Sequence, residues 1–322
     1  MLHKSTRLLV TRRLPQAVLD RATRDYTALL NEADVQYGPQ DLIRLCQEAD
    51  AALVCLTEKF TPEVIGALPD RLRILSTVSV GTDHVDLAAA RARGIKVGNA
   101  PHGVTIATAE IAMLLILCCA RRAPEGQRLI ADGKWAGWGP TFMLGQRLDG
   151  KTLGILGLGK IGQALARRAR AFDMQIHYHG RRRLPPGDEA GAVYHDSLES
   201  LFRASDFVSL NAPSTADTRH IIRNDTIAWL KPGAVLINTA RGDLVRDDDL
   251  IAALRDGRVG YAGLDVFEGE PKLNPGYLGL ANVMLLPHTG SSTIESRNQM
   301  GFEALDNIDA FFAGRPLPFP VA

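Results

Sequence analysis

The sequence predicts an α/β protein built on doubly wound parallel sheets and divided into two domains. Three observations carry this. The chain has 322 residues, about two domains at ~150 residues each. Short apolar, β-rich runs alternate with segments of helical spacing along its whole length, the pattern of parallel sheets covered on both faces. No internal repeat or low-complexity tract interrupts that alternation.

The elements follow in order. Residues 8–11 form a first buried strand, closed by Pro15. Strands are expected at 51–56, 72–77 and 95–98, with helices at 61–68 and 86–93 between them. The longest apolar run, Ile111 to Ala120, has ten residues, against the ~20 needed to span a bilayer. Further strands are expected at 152–156, 175–179, 207–210, 234–238, 262–265 and 283–286, with helices at 163–172 and 247–255.

Composition bounds the partners. Apolar residues make up 46% and charged residues 23%, which excludes a disordered, collagen-like or coiled-coil chain. Lys plus Arg is 37 against 36 for Asp plus Glu, so the net charge is +1. That balance gives no electrostatic reason to expect nucleic acid or an anionic membrane as partner. Cys46, Cys55, Cys118 and Cys119 form no C-x-x-C pair. Cys118 and Cys119, adjacent in an apolar run, read as small hydrophobes. The pattern suits a reducing compartment, and no metal site is expected. The basic N-terminus faintly resembles a transit peptide. The first strand accounts for it better, and the protein is expected to be cytoplasmic.

Residues 151–162 read KTLGILGLGKIG, a strand running into G-x-G-x-x-G with a helix after it. Gly157 permits the tight turn, Gly159 lets the backbone approach a pyrophosphate, and Gly162 lets the helix pack on the strand. Lys160 and Ile161 lie in the same turn, whose helix N-terminus offers N–H donors and a positive dipole end. This predicts a dinucleotide site. An NAD site expects an acid about 20 residues on, for the ribose 2′-hydroxyl. Here His179 holds that position, Arg181, Arg182 and Arg183 follow, and no acid occurs until Asp188. Arginines pair with a 2′-phosphate, so NADPH is expected over NADH, with NADH possible. The alternative is a solvated basic turn.

Two Pro-containing stretches, at Pro101 and Pro287, are the candidate domain crossings. They give a discontinuous substrate domain, residues 1–98 with 289–322, and a dinucleotide domain, residues 99–288.

Three stretches past strands carry candidate chemistry: NTARGD at 238–243, GLDVFEGEP at 263–271 and LLPHTGSS at 285–292. Side chains at the carboxyl ends of parallel strands face a ligand crevice. Arg241 can hold a 2-keto carboxylate and polarise its carbonyl. His288 can donate a proton near neutral pH, and Glu270 can pair with the imidazole. A loop histidine and a surface ion-paired arginine are the ordinary alternatives.

Together, GLGKIG, NTARGD, GLDVFEGEP and LLPHTGSS closely resemble the D-2-hydroxyacid dehydrogenase family, in order and spacing, across essentially the whole chain. The resemblance implies two Rossmann/flavodoxin-like domains with the active site in the cleft between them. It implies Arg241 as substrate arginine, His288 as acid/base and Glu270 as its partner. Within the family the chain resembles the glyoxylate/hydroxypyruvate reductase branch, through the loop Gly133–Trp138 and the stretches at Cys55–Thr57 and Val80-Gly81. That similarity implies a homodimer in which Trp138 reaches the neighbouring subunit. It assigns Leu56, Val80, Gly81 and Ser291 to substrate, with the Val80 and Gly81 N–H groups holding the carboxylate. It assigns Thr108, Ala212, Pro213, Thr239, Ala240, Asp265 and Gly290 to the cofactor, beside Arg241 and His288, and Arg181 and Arg182 to the 2′-phosphate. Thr289 stands where branch members often carry an aliphatic residue. The short stretch after His288 is unlike the long phosphoglycerate dehydrogenases, and Glu270 is unlike the glutamine of formate dehydrogenases of this fold.

The expected function is NADPH-preferring reduction of small 2-keto acids, glyoxylate or hydroxypyruvate, to D-2-hydroxy acids. A larger 2-keto acid, a 2-ketoaldonate or aryl pyruvate, is the near alternative, to be decided around Leu56, Trp138, Phe142 and Met143. A dinucleotide-sensing binding protein of the same fold is the more distant one.

Overall fold

The computed structural model describes residues 3–321. The chain divides into two compact units, Met1–Val104 with Ser291–Ala322, and Thr105–Gly290. The crossings thus lie a few residues beyond those expected at 98/99 and 288/289. Local bonds explain the difference. Residues after 98 still belong to the first unit: the Ala100 N–H donates to the Ser79 carbonyl at 2.9 Å and the His102 N–H to Glu303 at 3.1 Å. Thr289 and Gly290 belong to the second, because both N–H groups donate to the Asp265 carboxylate at 2.7 Å.

The first unit runs β1 (His3–Val10), α1 (Gln16–Asp25), β2 (Tyr26–Leu30), α2 (Pro39–Cys46), β3 (Ala51–Val54), α3 (Pro62–Gly66), β4 (Ile74–Thr77), α4 (Leu87–Ala92) and β5 (Lys96–Gly98). All strand pairs are parallel, in the order β2-β1-β3-β4-β5. This is the flavodoxin-like doubly wound order. β3 and β4 are buried at every residue, which is why they read as unbroken apolar runs. Thr61 and Asp86, expected as first helical residues, are N-caps instead. Their side chains accept from the Val64 and Ala89 N–H groups.

The final helix, Ile294–Phe312, completes this unit. Its Met300, Ala304, Leu305 and Ile308 share one core with Leu8, Val10, Leu53 and Ile74. Asn307, fully buried, donates to the Asn99 carbonyl at 2.9 Å and accepts from the Phe319 N–H at 2.9 Å. The tail then returns to β5, with the Val321 N–H on the Val97 carbonyl at 2.8 Å.

The second unit runs α5 (Thr105–Ala120), α6 (Ala123–Ala131), β6 (Thr152–Leu156), α7 (Lys160–Arg170), β7 (Gln175–His179), α8 (Pro186–Glu189), β8 (Val193–Tyr194), α9 (Leu198–Ala204), β9 (Phe207–Leu210), α10 (Asn224–Ile227), β10 (Ala234–Asn238), α11 (Asp247–Arg255), β11 (Val259–Leu264) and β12 (Val283–Leu285). The sheet order is β12-β11-β10-β9-β6-β7-β8, all parallel. The chain winds from β6 outward to β8, then crosses to β9 on the other side of β6. That reversal is the Rossmann switch point, outside whose carboxyl strand ends ligands bind. α5 contains the long apolar run and is buried deeply against this sheet, so it is apolar on most sides. Among the described residues no helix is long and apolar enough to cross a membrane.

Candidate active site

The glycine turn is dictated by close backbone approach. Gly157 sits at φ +94°, and a Cβ there would lie 2.9 Å from the Asn211 carbonyl oxygen. A Cβ on Gly162 would lie 2.4 Å from the Gly157 oxygen, so α7 can start this close to the turn only with glycine. Gly159 differs: it caps α7, and a Cβ there would meet nothing within 4 Å. The space in front of the first turn, Lys160, Ile161 and Gly162, is therefore open. The helix begins at Lys160 rather than at 163 as expected, so these residues supply the N-terminal N–H groups.

Two buried polar atoms border the switch point without a hydrogen-bond partner among the described residues. They are Asn211 Oδ1, just past β9, and Thr239 Oγ1, just past β10. An unmet buried polar atom costs ~1–3 kcal/mol. Open space before a helix N-terminus, with unmet polar atoms at the neighbouring strand ends, fits a dinucleotide. Ala212 and Ala240 are half-buried and Pro213 exposed beside them.

At the end of β7, the ring Nδ1 of His179 bonds the His195 carbonyl at 2.9 Å. The three-arginine cluster is reduced to two. Arg183 is spoken for by Glu189, through Nε at 2.8 Å and Nη2 at 3.1 Å. Arg181 and Arg182 are exposed and have no ion-pair partner among the described residues.

Arg241, Glu270 and His288 converge. His288 Nδ1 donates to Glu270 Oε1 at 2.5 Å. Glu270 Oε2 accepts the Phe267 N–H at 3.2 Å. Burial pushes the Glu270 carboxyl up, but the hydrogen bond and charge of His288, the Phe267 N–H and the charge of Arg241 hold it below the usual range. Arg241 stands close for a reason visible at the next residue. A Cβ on Gly242 would lie 1.9 Å from the Phe267 carbonyl carbon, so the two loops meet backbone to backbone. Buried Asn238 shapes the first loop: it donates to the Arg241 carbonyl at 2.8 Å and accepts the Ala240 N–H at 3.0 Å. Arg241 Nη1 also donates to the Ala240 carbonyl at 2.7 Å.

His288 lies at φ +55°, in the left-handed region. For a residue with a Cβ this costs of order 1–3 kcal/mol and persists only where the surroundings impose it. Asp265 imposes it. Its carbonyl accepts the His288 N–H at 2.9 Å, and its buried carboxylate accepts the N–H groups of Thr289 and Gly290 and the Thr289 hydroxyl at 3.1 Å. Burial pushes this carboxyl up while those donors pull it down. Asp265, assigned to the cofactor by resemblance, thus has its carboxylate engaged by the His288 loop. Thr108 similarly donates to the Gly290 carbonyl at 3.2 Å. The roles of Asn238, Gly242 and Glu189 were not read from sequence. Asn238 had a signal, an asparagine ending a strand before a turn; the others depend on distant neighbours.

The remaining assigned residues are each set by the surroundings within their own unit. In the first unit, Leu56 and Val80 are exposed at 36% and 39%, unusual for apolar side chains past buried strands. The Val80-Gly81 turn is fixed by Ser79 Oγ on the Gly81 carbonyl at 2.7 Å and Asn99 Nδ2 on the Val80 carbonyl at 2.8 Å. Ser291 is half-buried. In the second unit, Trp138 is 82% exposed between α6 and β6.

Comparison with known proteins bears on these observations. Residues 113–290 match the family described as D-isomer specific 2-hydroxyacid dehydrogenase, NAD binding domain. A glycerate dehydrogenase of Hyphomicrobium methylovorum is 49% identical, covering 98% of this chain and 99% of its own. A glyoxylate reductase of Thermococcus litoralis is 41% identical, covering 97% and 95%. The crystal structure of an NADPH-dependent glyoxylate/hydroxypyruvate reductase from Sinorhizobium meliloti, in complex with NADP and malonate, superposes with a TM-score of 0.86 at 33% identity, covering 98% and 97%. The chain belongs to the D-2-hydroxyacid dehydrogenase family and is a nicotinamide dinucleotide-dependent oxidoreductase of the glyoxylate reductase-like kind.

Proposed function

We propose that this enzyme reduces small 2-keto acids, glyoxylate and hydroxypyruvate, to D-2-hydroxy acids, with NADPH preferred over NADH. The observation that carries the chemistry is the 2.5 Å His288–Glu270 pair within the electrostatic reach of Arg241. A reduced nicotinamide, when bound, supplies the hydride to the carbonyl carbon. His288, held through Nδ1, presents Nε2 to the carbonyl oxygen and gives it the proton. Glu270 balances the imidazolium before the transfer and orients the ring. Arg241 holds the carboxylate and polarises the carbonyl, drawing charge as it develops on oxygen. The Val80 and Gly81 N–H groups offer a turn suited to an anion. Glycerate is the hydroxy form of hydroxypyruvate, so the relatives named for glycerate and for glyoxylate support the same substrate class.

Residues 157–162 would hold the pyrophosphate, Thr239 the nicotinamide end, and Arg181 and Arg182 the 2′-phosphate. A homodimer belongs to the same reading: Trp138, Ile130, Trp135 and Leu144 are all more than half exposed around one arm, an apolar surface that a second copy would cover. The cytoplasmic location expected from the cysteine pattern goes with it.

A panel of 2-keto acids assayed with NADPH and with NADH tests the proposal. Steady turnover of glyoxylate or hydroxypyruvate, fastest with NADPH, is expected. Preference for an aryl pyruvate or ketoaldonate would overturn the substrate, and cofactor binding without turnover would overturn the enzyme. Arg181→Ala with Arg182→Ala should raise KM for NADPH far more than for NADH; equal losses would refute the 2′-phosphate assignment.

A further inference from the structure

The segment after β7 is held by a buried carboxylate that belongs to neither the glycine motif nor the triad. Glu189 ends α8 and is only 6% exposed. Its Oε1 accepts the Tyr178 hydroxyl at 2.6 Å and Arg183 Nε at 2.8 Å, while Oε2 accepts Arg183 Nη2 at 3.1 Å. Tyr178, 1% exposed within β7, accepts the Leu184 N–H on the same hydroxyl at 2.9 Å. The Arg183 guanidinium also lies over the Tyr194 ring, 5.9 Å from its centre. The arc from Gly180 to Leu184 is therefore tied down at its far end by side chain and backbone together. Arg183 and Tyr178 hold the Glu189 carboxyl below its usual range. That agrees with an ionised carboxylate pairing with the cation.

Three consecutive arginines repel one another. Glu189 neutralises the third and fixes its direction, which leaves Arg181 and Arg182 as an exposed cationic pair on a short, pinned arc. We propose that Glu189 and Tyr178 are positioning residues for dinucleotide choice: by pinning Arg183 and Leu184 they hold Arg181 and Arg182 where a 2′-phosphate is received. This rests on the NADPH preference proposed above. Pre-organising the arc avoids the ordering cost that two free arginine side chains on a loose loop would otherwise bear on binding. Adenosine without the 2′-phosphate gains nothing from that order, so the device acts on NADPH alone.

The test measures KM and kcat for NADPH and NADH in Glu189→Gln and Tyr178→Phe, with thermal midpoints, beside the Arg181→Ala, Arg182→Ala variant. Glu189→Gln keeps the shape and removes the charge. It should raise KM for NADPH about tenfold, one order in affinity, leave KM for NADH within twofold and leave kcat unchanged. Tyr178→Phe should shift the same ratio in the same direction. Equal rises for both cofactors would make the pair merely structural, and no change in the ratio would overturn the proposal. If the double arginine variant alone alters the NADPH/NADH ratio, the clamp fails while the NADPH reading stands. If the double variant leaves the ratio unchanged, the NADPH reading falls and the clamp with it. Should Glu189→Gln fail to fold, Arg183→Gln severs the same ion pair from its exposed side, with the same expected and refuting results.

Discussion

Gly242→Ala is a one-methyl change that should separate activity from stability. The added Cβ would stand 1.9 Å from the Phe267 carbonyl carbon, 2.1 Å from its oxygen and 2.3 Å from the Glu268 nitrogen. All three are backbone atoms, so no side chain can swing away. Restoring an ordinary contact of 3.4 Å moves one loop by roughly 1.5 Å, the scale of displacement that costs ~10²-fold in rate when it separates reacting groups. Arg241 is adjacent to Gly242, and Glu270 follows Phe267 by one short turn, so the shift parts the arginine from the His288–Glu270 pair. A 10²-fold loss corresponds to about 2.7 kcal/mol of transition-state stabilisation. Overpacking of this kind costs ~1–3 kcal/mol of folding stability, or a Tm lower by roughly 2–12 °C in a unit of this size. The assay is kcat/KM for the keto acid alongside a thermal scan and a cofactor titration. The expected result is a rate loss near 10²-fold, a modest Tm drop and retained cofactor affinity. Activity within threefold of the parent would show that Arg241 need not sit where this contact puts it, and the argument would fail.

Other substitutions read the remaining parts. His288→Gln should lower kcat ~10²–10⁴-fold with cofactor affinity retained; a near-parental rate would assign the proton to another group. Glu270→Gln removes the carboxylate that holds the ring through Nδ1, so kcat should fall with cofactor affinity retained; an unchanged kcat would refute the pairing. The Glu270 carboxyl is lowered in the fold. Its stabilising contribution is therefore complete above the unfolded value of ~4.3 and is lost as pH falls through the folded value. Urea midpoints of Glu270→Gln should accordingly fall less steeply with acid than the parent's below about pH 4.3. Asp265→Asn places an amide where the Thr289 and Gly290 N–H groups both donate, and one buried donor is left facing another. A loss of ~1–3 kcal/mol is expected, with a fall in kcat as the His288 backbone relaxes from φ +55°; unaltered urea midpoints would show the loop to be held otherwise.

Where the chain's local chemistry decided the structure, it was legible. β3, β4, β6, β9 and β10 are buried at every residue, so their apolar runs had no other reading. Two edge strands were not. In β2, Tyr26–Leu30, the sequence continues α1 without a turn residue, and only pairing with β1 makes it extended. β8 has two residues, too few for any period to show. The same division runs through the site. Gly157, Gly162 and the His288–Glu270 pair follow from motif and residue type. The loss of Arg183 to Glu189 could not be read, because an arginine's partner is chosen by tertiary approach. Nor could the engagement of Asp265, since a carboxylate beside a cofactor motif and a carboxylate pinning a loop look alike in one dimension. Gly242 is legible as a glycine and silent about the backbone it must meet.

The last helix and tail of the first unit carry a consequence for biosynthesis. Leu8, Val10, Leu53 and Ile74 find their core partners in Met300, Ala304, Leu305 and Ile308, and β5 takes its last hydrogen bond from Val321. During translation at roughly 5–20 residues per second, the first strands leave the ribosome many seconds before those partners exist. Residues 105–290 hold two cores drawn from their own residues alone. The unit begun first is therefore finished last. Its half-made sheet, exposed throughout synthesis, is the stage at which a chaperone or a protease would meet this chain.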